Sequence, residues 1–317
     1  MTWAAWRLQR TETLIAAAIL ALLVVILVPT GIEMANAFHH DGLSACLGQV
    51  TSGSCDEAVH SFTDRFHRVG GLVDWFTLVP GLLGVLLAAP FVLDLEHGTY
   101  RLAWTQSITR RRWLAGKLGL AVACALAAAF SLILLVTWWR APLVRIDGRM
   151  DNGVFDSEGI VVLGYTLFGL GLGAAVGAVW RRAVPALIVG FVGYLVSRIF
   201  VDVWLRQRLL SPLKATWKFD APSPSGLRHA WVLQEGPSDR FGHFVQPKVG
   251  ACVRAAKGGA RLLDPGCLSH KAGFSMHAVY HPASRFWALQ GIETAIFGAV
   301  AVGLIGFAAW WTHERTG

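Results

Sequence analysis

The sequence predicts an all-α polytopic membrane protein with six transmembrane helices. Three observations carry that expectation. The 317 residues are 54% hydrophobic and only 15% charged, whereas soluble domains carry about 25% charged residues. Six apolar runs approach or exceed the roughly 20 residues that a helix needs to cross a bilayer. With six spans, three groups of arginines fall on one side: Arg7 and Arg10, then Arg101 and Arg110 to Arg112, then Arg181 and Arg182. That side is expected to be the cytoplasm, which puts both termini inside.

The elements follow in order. Residues 1–12 form an amphipathic interfacial helix, with Trp3, Trp6, Arg7 and Arg10 at i, i+3, i+4, i+7 spacing. The first span covers about 14–32 and ends near Pro29. A basic start, an apolar run and Ala35-x-Ala37 also fit a cleaved signal peptide; the expectation is a retained span. His39 to Arg68 reads as a polar loop, and 72–93 as the second span. A polar, basic island from Asp94 to Lys117 follows. It cannot sit in hydrocarbon, so it is read as a compact connection with a short surface helix. The third span, 113–139, is bracketed by tryptophans, as at a membrane interface. The fourth, fifth and sixth spans cover 160–180, 183–203 and 286–311. A large insertion, 205–284, separates the last two. The chain thus divides into three: a membrane region over residues 1–204, an extracytoplasmic loop domain over 205–284, and a closing membrane region over 285–317. The loop domain is expected to be a small irregular α/β cap.

Charge excludes one obvious reading of the basic total. Of the net +8, the insertion alone holds eleven Lys/Arg against four Asp/Glu. Such a loop translocates largely regardless of its charge, and the excess marks no groove for nucleic acid. Cysteines pair by loop: Cys46 with Cys55, and Cys252 with Cys267. With both loops outside, two disulfides are expected, four free thiols or a metal site being the alternatives.

Within the island, Glu96-x-Gly98-Thr99, then Leu102, Ser107-x-x-Arg110 and Lys117 resemble the segment after the second span of type-2 ABC transporter permeases, actinobacterial-like members in particular. The resemblance implies a coupling helix that docks on a separate ATP-hydrolysing subunit. It assigns that role to Glu96, Gly98, Thr99, Arg101, Leu102, Arg110 and Lys117. Gly98 suits a sharp turn, Thr99 an N-cap. The helix layout extends the likeness across the membrane regions, not the outer loop. No Gly-x-x-x-x-Gly-Lys-Ser/Thr occurs, so ATP and Mg²⁺ belong to the partner, and the chain is read as a transport subunit, not an enzyme. The implied assembly is a homodimer of permeases with two ATPase subunits in the bacterial plasma (inner) membrane. Its implied activity is export of an amphipathic compound, peptide or lipid-like molecule.

Remaining polar and small residues carry further expectations. Gly169, Gly173 and Gly177 repeat every four residues and suit close helix packing. Arg198 and Asp202, i and i+4, are placed to pair, and Glu293 lies two turns into the sixth span, where it lines a path or meets a basic partner. His277 and His281 would share a helical face, but no third zinc ligand is evident, and no metal is expected. Two other functions fit the composition: a membrane enzyme acting on lipid, or a sensor or scaffold with stapled outer loops.

Overall fold

A computed structural model describes residues 2–46, 53–100, 109–218, 221–239, 243–245, 253–255, 261–263 and 275–315. Six of its helices are long and apolar enough to cross a membrane. They are α1 (Thr2–His40), α5 (Val79–His97), α6 (Arg110–Asp147), α8 (Val161–Trp180), α9 (Ala183–Phe200) and α11 (Phe286–Arg315). Shorter helices α2 (Leu43–Cys46), α3 (Gly53–Gly70) and α4 (Val73–Phe76) join α1 to α5, and α7 (Asn152–Ser157) precedes α8. A π-helical turn, Val201–Leu205, prolongs α9 into α10 (Arg206–Leu209). Successive spans alternate in direction, so one end of the bundle, here the termini end, carries the start of α1 and the end of α11. The opposite, loop end carries α2–α4, α7 and the insertion.

The centre is α8, with 78% of its most apolar window buried against 17% for the first span. It packs against α11, α5, α9 and α6. Its small residues make this possible. Gly169 meets the backbone of Gly81, Gly173 meets Val85 and Ala88, and Gly177 meets Val92, all on α5. On α5 itself, Gly84 lies against the Thr166 carbonyl and the Leu170 amide. The glycine repeat therefore faces a neighbour within the same chain.

Several boundaries differ from expectation. The helix of the first span does not stop near Pro29 but runs from Thr2 to His40, taking in the segment expected as a separate interfacial helix. Proline removes a backbone donor and leaves the carbonyl four residues earlier, that of Val25, without its amide, yet spans tolerate proline where neighbouring helices hold the chain. Here Thr30 Oγ1 donates to the Ile26 carbonyl at 3.0 Å and accepts the Trp139 indole N–H at 3.0 Å. Beyond it, Met34 and Phe38 are buried, and Phe38 meets Phe62 of α3 edge-on at 6.0 Å. Half of the expected polar loop is thus the amphipathic α3. The second span begins at Val79, after α4, with Pro80 in its first turn, where a missing N–H costs nothing. The third span continues to Asp147.

Cys46 and Cys55 form a disulfide with a Cα–Cα distance of 5.5 Å. Cys252 and Cys267 lie outside the described residues. The insertion contains an antiparallel sheet of β1 (Leu213–Lys218), β5 (Ser275–His281) and β2 (Trp231–Ser238), in that order. Leu213 pairs with Tyr280 and Trp231 with His281. A separate hairpin joins β3 (Val253–Ala255) and β4 (Arg261–Leu263). The sheet hangs directly from α11, which starts five residues after His281.

Candidate functional site

At the termini end, α5 closes where Gly98 adopts φ +68° and ψ +15°, the left-handed conformation that glycine takes without strain. One turn earlier, buried Asp94 places Oδ2 2.5 Å from Nζ of buried Lys117 on α6. Thr99 Oγ1 donates back to Asp94 Oδ1 at 2.9 Å. The next described helix is capped by Thr109, whose Oγ1 accepts from the Arg112 N–H at 3.4 Å. Glu96 points the other way, and its Oε2 accepts the backbone N–H of Ala183, the first residue of α9, at 2.8 Å. Arg182 offers no side-chain cap there, so Glu96 supplies the anion that a helix N-terminus favours. Arg181, at φ +53°, makes the preceding turn, and its guanidinium donates to the Arg315 carbonyl at 3.0 Å. Tyr100 is buried, its ring 6.2 Å from that of Trp113. Arg101 and Leu102 lie outside the described residues, and Arg110 opens α6 half-exposed. The stretch from Asp94 to Thr99 therefore holds the starts of both α6 and α9.

At the loop end, the expected Arg198–Asp202 pair is replaced by a larger cluster. Arg198 reaches Asp156 of α7 at 2.5 Å and Glu293 of α11 at 3.0 Å. Arg206 binds Glu293 through Nε at 2.9 Å and Nη2 at 3.1 Å, Asp202 at 2.7 Å, and also Asp156. Tyr165 of α8 donates to Glu293 Oε1 at 2.5 Å. The Arg198 guanidinium lies over the Tyr165 ring at 3.9 Å. Asp202 pairs forward with Arg206, at i and i+4. Eight residues of regular α-helix would turn Arg206 about 80° away from Arg198; the wider π turn absorbs that angle and sets both guanidiniums on one face. Three carboxylates meet two guanidiniums and a phenol, all buried but for Asp202, whose side chain is 28% exposed. Interleaved cations leave the carboxylates no room for a metal, and no group of His, Cys, Asp or Glu among the described residues is arranged to hold one. His277 and His281 lie on β5, not on a helix, which sets them about 13 Å apart.

Beside the cluster, Glu158 lies 3.7 Å from both Arg140 and Arg149. Burial pushes its carboxyl up to about 7, against the pull of both guanidiniums. Gln290 of α11 accepts the Val161 N–H at 2.9 Å and donates to the Phe155 carbonyl at 2.7 Å, tying the end of α7 to the start of α8. Sequence reasoning passed over Asp94, Asp156, Tyr165, Arg206 and Gln290. Asp94, Tyr165, Arg206 and Gln290 had a visible signal, a polar side chain at or near the end of an apolar run or within it, where an unpartnered group is costly; Asp156 sits in a polar connection and had none.

The sequence profile of the ABC-2 membrane transporter related family matches residues 17–206. The chain belongs to that family. The match takes in five of the six spans, the stretch from Asp94 to Thr99 and, from the cluster, Asp156, Tyr165, Arg198, Asp202 and Arg206; Glu293 and the sheet lie beyond it. No curated protein and no solved structure matches the chain. Family membership makes it the permease of an ABC transporter and implies pairing with an ABC ATPase. With its six spans it is a multi-pass protein of the bacterial inner membrane.

Proposed function

We propose that two copies of this permease and two ATPase subunits form an exporter for an amphipathic compound, peptide or lipid-like molecule. ATP and Mg²⁺ bind in the ATPase, and this chain carries no catalytic group of its own. The termini end faces the cytoplasm, and the segment after Gly98, with Arg101, Leu102 and Arg110, docks on the ATPase. The observation that carries the reading is the hydrogen bond from the Ala183 N–H to Glu96. Through it, displacement of the docking segment reaches α9, while Asp94–Lys117 passes the same displacement to α6. At its far end α9 carries Arg198, and α10 carries Arg206, into the loop-end cluster. Helix α9 thus acts as a strut between the motor and the loop-end cluster.

The test is ATP turnover of the reconstituted complex. Glu96→Ala removes the anion at the start of α9, and a lost cap costs about 1 kcal/mol. Basal hydrolysis should persist, while the increment produced by this chain falls about fivefold or more. Full retention of that increment in the variant would remove Glu96 from the coupling path.

A further inference from the structure

Helices α1 and α6 run in the same direction, and residues of both line a groove of about 150 Å³ toward the loop end. Its walls are small: Gly31 and Ala35 from α1, Ala141 and Pro142 from α6. Trp138 closes its deeper end, packed so tightly on Gly31 that a Cβ there would stand 2.8 Å from the indole. Phe38, His39 and Arg145 stand at its outer end.

The level of the groove follows from helix length. Helix α6 has 38 residues, which span about 57 Å, nearly twice the roughly 30 Å hydrocarbon core. Trp138 is 48% exposed, as an indole at the interface is. Arg145 lies about 10 Å farther along the helix, within the headgroup layer. Its guanidinium rests 5.4 Å from the centre of the Phe38 ring. Nearby Arg140 and Arg149 both face Glu158, but among the described residues no carboxylate pairs with Arg145.

We propose that this groove binds an acidic phospholipid, its phosphate on the Arg145 guanidinium and the His39 ring N–H, and its glycerol and first methylenes between the small-residue walls. An unpaired cation above an apolar slot matches that chemistry at both ends. A soluble anion has no use for the slot. A zwitterionic headgroup brings its own cation toward Arg145. A helix of a second copy, about 10–12 Å across, is too wide for the volume. The proposal goes beyond the transport reading and holds whichever compound is carried.

The full-length protein in nanodiscs of equal phosphatidylglycerol and phosphatidylcholine provides the test, with retained lipid counted by native mass spectrometry after transfer to detergent. The native protein should hold phosphatidylglycerol over phosphatidylcholine about fivefold, the preference expected of one basic side chain at an anionic surface. Arg145→Gln, at an exposed position, should abolish the preference with the unfolding temperature unchanged. Ala141→Phe should fill the slot and lose both lipids. Brominated acyl chains should quench a fluorescence component that Trp138→Phe lacks. Equal retention of the two lipids, or a preference surviving in Arg145→Gln, overturns the proposal. So does displacement of the lipid by millimolar inorganic phosphate, which would make the site one for free phosphate. Ready Ala141→Cys cross-linking between copies in a Cys124→Ser background would overturn it too, by seating a second copy in the groove.

Discussion

Glu158 shows how one residue takes its chemistry from what surrounds it. It is almost fully buried, and both neighbouring guanidiniums stand 3.7 Å away, too far for full compensation of the lost hydration. Its carboxyl titrates near 7, above the value of about 4.3 for an exposed glutamate. The folded chain therefore holds a proton that the unfolded chain releases between about pH 4.5 and 7. Stability from this group is complete below about pH 4.5 and is lost as pH rises through 7. Glu158→Gln stays neutral throughout. Melting in detergent should therefore show the variant gaining on the native protein between pH 5.5 and 8. A constant difference would mean that Glu158 is ionised across the range. In the sequence Glu158 reads only as one acid in a charge-balanced loop, because burial is a property of what packs on it.

Among the elements, α5 and α8 depend most on local chemistry. Their glycines allow backbone to approach backbone, the main source of attraction between helices in lipid. At Gly84 an added methyl would collide with the Thr166 carbonyl, whereas at Gly119 of α6 nothing lies within 4 Å of one. Gly84→Ala should cost about 1–3 kcal/mol of stability, the usual penalty of overpacking. Gly119→Ala should be neutral or slightly stabilising, since alanine is the better helix former. Chemical or thermal unfolding in micelles separates the two. The repeat at Gly169, Gly173 and Gly177 was legible as a packing face; which helix it meets was not, because spacing names a face and not its partner. Boundaries were less legible for a similar reason. Pro29 reads as a stop, and only Thr30 and Trp139, more than a hundred residues apart, show why the helix continues.

For the molecule as a whole, the loop-end cluster ties α7, α8, α9, α10 and α11 into one unit. Removing one partner from a buried ion network leaves the other charge without compensation and costs about 3–5 kcal/mol. Arg206→Met strands Glu293 and Asp156 and should lower the unfolding temperature accordingly; adding Glu293→Gln should recover a share of the loss. If Arg206→Met unfolded like the native chain, the cluster would not brace the bundle. At this scale the expected pair was wrong. Sequence spacing joined Arg198 to Asp202, whereas the π turn and the return of α11 bring Asp156 and Glu293 closer.

The amino-acid sequence by itself pointed to six spans, the turn at Gly98, the family resemblance of the segment around it and, as the first of its alternatives, the Cys46–Cys55 pairing. Those features rest on local terms: runs of apolar side chains, glycine's access to positive φ, and a short loop between cysteines. Only the tertiary structure decided that Glu96 caps α9, that Arg206 joins Arg198 against three carboxylates, and that α1 and α6 line a groove beside Arg145. In each case a charged or small side chain is satisfied by a group far away in the chain. The cost of leaving it unsatisfied in a low-dielectric interior selects the partner, and that choice exists only once the helices have packed.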